Sequence, residues 1–226
     1  MALHDHFFVQ CHFCIKKMNG RYGCAILAGG AGRRMGHINK AILEYGGNTF
    51  AGTIMSKMTG TGMPCYLSIA RYEQGYPKGW TPVMDVLTNG SGDFIGPMGG
   101  IYSCLIRARE DGLQGLFFAP CDAPFYSAEA VDKLAEYIGP DVDAVIWRTA
   151  DGRLQMTFAY YSVSLIPILE TLVNEGRYSL KACLDKANIR IVESDDTDID
   201  EKLFVNINDL EDYNKLKETE KWNMII

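Results

Sequence analysis

The chain contains no apolar run approaching the ~20 residues needed to cross a bilayer. Its first residues also lack the layout of a signal peptide: His6, Gln10 and His12 interrupt the apolar letters, and Lys16 and Lys17 follow the apolar part instead of preceding it. A soluble, cytoplasmic protein with no membrane partner is therefore expected. Histidine is scarce, and His4, His6, His12 and His37 all fall early in the chain. No Ser-His-Asp or Cys-His set is apparent, which argues against a hydrolase built on a histidine base. Positive charge is in deficit, with 22 Lys and Arg against 28 Asp and Glu for a net charge of -6. Generic nucleic-acid binding needs a basic face and is not expected. A local basic cluster could still hold a small phosphorylated ligand, because pocket charge and net charge are separate matters. Finally, the seven cysteines are odd in number and scattered in spacing, so a disulfide framework is not expected.

What is present suffices for one domain with a sizeable core: 226 residues, 47% hydrophobic and 11% aromatic. Residues 1–20 read as an extension, and residues 21–226, without repeats or a long linker, read as a single domain. Cys11 and Cys14 have the C-x2-C spacing of a zinc site, but no second ligand pair matches it, so the extension reads as a tail.

Past residue 20 the pattern alternates. Short apolar runs at Tyr22–Leu27, Cys65–Ala70, Thr81–Met84, Leu116–Ala119 and Ala144–Trp147 read as strands. Between them, Phe50, Ile54 and Met58 recur at helical spacing, Gly99–Arg109 reads as a helix, and Ser127 is placed to cap a helix running through Ile138. This order predicts an α/β fold with a mostly parallel sheet flanked by helices, binding its ligand beyond the carboxyl ends of the strands. The Asp151-Gly152 turn before Met156–Tyr161 adds a hairpin. Helices at Leu165–Val173 and Ser179–Lys186, a strand at Ile189–Val192 and a C-terminal helix at Asp209–Lys217 complete the reading.

The first strand runs into Leu27–Gly36, LAGGAGRRMG, with Lys40 close behind. Glycines let backbone N–H groups approach phosphate oxygens, and Arg33, Arg34 and Lys40 add cationic donors. A Walker A loop is excluded, because His37 follows Gly36 where Lys should stand. A dinucleotide fingerprint is excluded too: Met35 replaces the third glycine, and the second strand, Cys65–Ala70, is followed by Arg71, not an acid.

This loop resembles the signature of the nucleotidylyltransferases with a glycosyltransferase-A-like, Rossmann-like fold, and most of all that of the MobA-like molybdenum cofactor guanylyltransferases, L-A-G-G, a spacer, R-M-G, then D-K. Asn39 stands where that family has Asp. Four more segments follow in the family's order: Pro82–Asp85, Gly96–Gly100 resembling G-P-L-x-G, Pro120–Phe125 resembling P-C-D-x-P, and Phe204–Asn208 resembling F-x-N-I/V-N. The resemblance implies transfer of GMP from GTP to molybdopterin with Mg²⁺ as cofactor and pyrophosphate as leaving group. It also implies transient contact with molybdoenzymes or other cofactor-biosynthesis proteins. The implied nucleotide site is Leu27, Ala28, Gly29, Gly30, Lys40, Asp85 and Asp122. Arg34, Lys40 and Asp122 are implied to act in catalysis, with Asp122 the metal ligand. Arg153, Gln155, Asn206 and Asn208 are implied on the acceptor side, where Met156 replaces the usual Pro.

An ionised Asp85 can accept from the N1–H and N2–H₂ edge of guanine, which cytosine lacks. The family's second base contact, an Asn, falls on Ala70, so the expected GTP preference is modest. CTP, or a sugar or polyol phosphate acceptor, is the alternative within the same chemistry; a nucleotide-binding protein without turnover is the alternative of another class. A chain starting at Met18 is expected to fold and bind NTP like the full chain. Loss of folding on truncation, or stoichiometric zinc on the full chain by elemental analysis, would overturn the tail reading.

Overall fold

The computed structural model describes residues 21–29, 38–59, 62–72, 76 and 78–223. In chain order it contains β1 (Tyr22–Leu27), a small hairpin of β2 (Glu44–Tyr45) and β3 (Asn48–Thr49), α1 (Phe50–Thr59), β4 (Cys65–Ile69), β5 (Thr81–Met84), α2 (Pro97–Glu110), β6 (Gly115–Pro120), α3 (Ala128–Ala135), β7 (Ala144–Arg148), β8 (Leu154–Ser162), α4 (Ile166–Asn174), α5 (Leu180–Leu184), β9 (Ile189–Glu193) and α6 (Leu210–Asn223). The main sheet runs β5-β4-β1-β6-β8-β7-β9. β1 lies parallel to both β4 and β6, β4 to β5, and β7 to β9; β8 alone is antiparallel to its neighbours, β6 and β7. The mostly parallel α/β sheet expected from the sequence is the one that forms.

Alternation along the strands builds a core on each face. Cys24 and Ile26 of β1, Leu67 of β4, and Phe117 and Ala119 of β6 pack on one side with Ile54 and Met58 of α1 and Val131 and Leu134 of α3. Ala25, Tyr66, Leu116 and Phe118 point the other way, into Ile101 and Leu105 of α2 and Leu169 and Leu172 of α4. Phe50, Ile54 and Met58, the helical stripe read from the sequence, are all buried. Removing a side chain of that size from water contributes roughly 1.5–3 kcal/mol, more than any surface ion pair.

Two local features depart from the sequence reading. Ser127 occupies the cap position of α3, but its hydroxyl bonds the Glu129 carboxylate at 3.1 Å and caps no backbone N–H. The regular helix ends at Ala135, and the chain reaches Ile138 through tighter i→i−3 bonds from Tyr137 and Ile138. On the inner side of α3, Asp132 is buried, and its Oδ1 has no hydrogen-bond partner among the described residues. Burial, aided by Glu129 and Glu136, pushes its carboxyl up to about 7.

A folded pKa above the unfolded value of about 3.9 gives a contribution that is present at low pH and is lost as pH rises through 7. Asp132→Asn should therefore stabilise the fold by roughly 1–3 kcal/mol at pH 8 and by less at pH 5. Urea midpoints at the two pH values test this; equal gains at both would show that Asp132 does not titrate in that window.

Candidate functional site

Register places the site. Leu27 at the end of β1 pairs with Ser68 of β4 and with Pro120 of β6, and Ser68 pairs with Val83 of β5. The ladder continues one step beyond the strands: Ala28 N–H donates to the Ser68 carbonyl at 2.9 Å, Cys121 N–H to Leu27 at 3.1 Å, and Asp85 N–H to Ile69 at 2.9 Å. The three loops thus leave the same carboxyl edge side by side. They enclose a cavity of about 450 Å³, within the usual range for a small-molecule site. Its walls include Leu27, Ala28 and Gly29 from the first loop, Lys40, Asp85 and Asp122, and the start of α2 at Gly96, Pro97 and Gly100.

Each polar member is held by its own local device. Asn39 caps the single 3-10 turn Lys40–Ile42, accepting from Ala41 N–H at 3.0 Å, while its amide donates to the Tyr76 hydroxyl at 2.8 Å. The family's Asp would make the same cap, since both side chains offer an oxygen there. The turn aims Lys40, whose Nζ meets Asp122 Oδ2 at 2.8 Å with both side chains mostly buried. Asp122 follows Pro120 in a tight turn closed by Ala123 N–H on the Pro120 carbonyl. Gly96 precedes α2 at φ +73°, a conformation that favours glycine, and Pro97 opens the helix at its first position. Asp85 accepts from the Ser68 hydroxyl at 2.8 Å. Burial raises its carboxyl to about 6, with the Ser68 bond pulling the other way.

The C-terminal motif arrives from far along the chain. Phe204 packs on Trp147 and Phe158, with ring centroids 5.6 and 5.4 Å apart. Ile207 donates its N–H to the Asp122 carbonyl at 2.8 Å and buries its side chain with Phe50 and Leu216. With Ile207 turned inward, Asn206 and Asn208 on either side of it reach the cavity wall.

Of the residues singled out in the sequence, Leu27, Ala28, Gly29, Lys40, Asp85, Asp122, Asn206 and Asn208 come together. Gly30 and Arg34, like Arg33 and the Cys11–Cys14 pair, lie outside the described residues. Arg153 and Gln155 are not brought to the cavity. Arg153 is paired with Asp151 in the exposed turn before β8, and Gln155 pairs with Trp147 in the β7–β8 ladder. The reason is an irregularity: Ile146 faces Ala159, but Trp147 faces Gln155, so β8 carries extra residues at Met156–Phe158. Thr157, within that bulge, lines the cavity instead. Thr157 and Ser68 are the polar wall residues that sequence reasoning did not single out. The S-x-x-R segment at the end of β4 was a usable signal for Ser68; nothing in the sequence marks the bulge.

Among the described residues, no cluster of three or more His, Cys, Asp or Glu side chains is arranged to hold a metal alone. A single carboxylate beside a lysine suits a hard cation shared with a ligand's phosphates. Sheet topology, edge cavity and this charge pair fit a nucleotidyltransferase. The description MobA-like NTP transferase domain matches residues 24–191, and the chain belongs to that family. It is 29% identical over 198 residues to a probable molybdenum cofactor guanylyltransferase of Methanosarcina mazei, covering 83% of this chain and 86% of that one. It is 30% identical over 166 residues to a molybdenum cofactor guanylyltransferase of Serratia proteamaculans, covering 73% and 80%. The crystal structure of molybdopterin-guanine dinucleotide biosynthesis protein A from Archaeoglobus fulgidus has the same fold, with a TM-score of 0.68 at 22% identity, over 90% of this chain and 100% of that one. No helix among the described residues is long and apolar enough to cross a membrane.

Asn39→Ala should cost about 1 kcal/mol through the lost cap, whereas Asn39→Asp should be neutral within about 0.5 kcal/mol. Urea midpoints of the two variants check this; an equal loss in both would mean that the cap is not what Asn39 contributes.

Proposed function

We propose that this chain transfers GMP from GTP to molybdopterin, releasing pyrophosphate, in a reaction that depends on Mg²⁺. One observation carries the reading: a lysine–carboxylate pair, Lys40 and Asp122, shares one cavity with a carboxylate of a different kind, Asp85, which is paired with a neutral hydroxyl. The first pair suits phosphates and a divalent cation; the second suits the donor edge of a guanine. The names of the relatives support the same substrates.

On this reading, GTP lies along the carboxyl edge with its phosphates over Ala28, Gly29 and Lys40 and its base at Asp85. Lys40 leaves Asp122 for the phosphates, and Arg34 adds a second cation from the glycine loop. Asp122 would then hold Mg²⁺, which when bound would offset charge on the phosphates and on the departing pyrophosphate. Asn206 and Asn208, fixed by Ile207, offer amide donors and acceptors to the molybdopterin side, with Thr157 of β8 as a further hydroxyl. An acceptor phosphate oxygen attacks the α-phosphorus in line. The protein supplies position and charge rather than a covalent intermediate.

Pyrophosphate release should be measured with GTP, CTP, ATP and UTP, each with and without molybdopterin and Mg²⁺. The expected result is turnover with GTP that requires both. Asp122→Asn should reduce it by about a hundredfold or more, while Lys40→Ala should weaken nucleotide binding about tenfold or more, the loss of one charge-assisted bond to phosphate. Preference for CTP would replace the guanylyl assignment. Turnover that needs Mg²⁺ but ignores Asp122→Asn would move the metal to another carboxylate, and no turnover in any form would favour a binding protein.

A further inference from the structure

We propose that Ser68 is the positioning residue that makes this site select guanine over cytosine, by holding the Asp85 carboxylate with one oxygen engaged and its acceptor face toward the nucleotide base. The inference rests on the guanine reading of Asp85 above and assigns the discrimination to a pair of residues instead of one.

Ser68 is almost fully buried at the cavity wall, and strand register fixes it from both sides, against Leu27 and Val83. Its hydroxyl has one proton, and that proton goes to Asp85 Oδ1 at 2.8 Å. The carboxylate is also confined sterically. A Cβ built on Gly29 would come within 2.9 Å of Asp85 Oδ2. A Cβ built on Gly100 would come within 2.5 Å of the Ser68 hydroxyl and 3.4 Å of Asp85 Oδ1. The Ser68–Asp85 pair therefore packs against bare backbone at Gly29 on one side and Gly100 on the other. The next residue is held as well, since Val86 N–H donates to the Ser103 hydroxyl at 3.0 Å.

The base consequence follows from donor and acceptor counting. The Watson–Crick edge of guanine offers N1–H and N2–H₂, two adjacent donors, and an ionised carboxylate matches them. Cytosine offers N3 as an acceptor beside the N4 amine, and a carboxyl matches that edge only when it carries a proton. A hydroxyl that donates to Asp85 favours the ionised form, in opposition to burial. Ser68 thus biases the site toward guanine. Ala70, where the sequence suggested a missing base contact, is not among the described lining residues, whereas Ser68 and Asp85 both are.

Dissociation constants for GTP and CTP should be measured by calorimetry on the full chain. The wild-type protein should bind GTP more tightly than CTP. In Ser68→Ala the ratio should fall about tenfold, through weaker GTP binding, with CTP changed less than twofold. Gly100→Ala is a second, independent route: alanine suits a helix interior better than glycine, yet its methyl would displace the Ser68 hydroxyl, and the same loss of ratio is expected. If both variants weaken GTP and CTP equally, or leave the ratio intact, Ser68 has no part in selection and the guanine reading of Asp85 stands without it. If the wild-type protein shows no GTP preference, the guanine reading itself fails, and this inference with it.

Discussion

Parallel pairing of β1 with β4 on one side and β6 on the other is the constraint on which the site depends. Because Leu27 is in register with both Ser68 and Pro120, Ala28 and Gly29, the end of β4 and the Asp122 turn are delivered to one edge side by side. β5 adds Asp85 by the same device, through the bond from its N–H to Ile69. A slip of one residue in any of these pairings would send each side chain to the opposite core, where it does not fit. The two buried cores on the faces of the sheet therefore hold the loops in register as well as holding the fold together.

The two carboxylates at this edge are handled differently, and the difference gives the cavity its polarity. Asp122 faces a full positive charge 2.8 Å away, so a cation is already part of its environment. Among the described residues Asp85 has a hydroxyl as its side-chain partner, and burial raises its carboxyl to about 6. An acid held in this way is expensive to the fold, as is Asp132 on α3, whose Oδ1 has no partner among the described residues. For Asp85 the proposed base contact gives a reason for that cost. Asp132 lies among core residues of α3, is not among the cavity's lining residues, and nothing in the structure explains it.

The second half of the chain completes a site that the first half begins. Ile207, more than eighty residues beyond Asp122, ties its N–H to the Asp122 carbonyl, and the cluster of Phe50, Ile207 and Leu216 clamps that segment between α1 and α6. Phe204 does the same against Trp147 and Phe158. The asparagines on either side of Ile207 thus inherit their position from two hydrophobic anchors together with the backbone bond from Ile207 to Asp122.

Strands, helices and the order of the motifs were legible in the sequence because each is a short-range property: apolar alternation sets a strand, 3.6-residue spacing sets α1, and glycine and proline mark the turns at Gly96-Pro97 and Pro120–Pro124. Lys40 could be singled out as a cation close behind the glycines, and Asp85 and Asp122 through the resemblance of their segments to the family's motifs. Tertiary structure alone decided the rest. The partner of Asp85 is Ser68 because two parallel strands put them side by side, and no local rule encodes that pairing. Arg153 and Gln155 give way to Thr157 at the wall because a bulge in β8 resets which residues face the cavity. The role of a bulged strand depends on what its neighbours leave unfilled, and that is fixed only when the sheet has assembled.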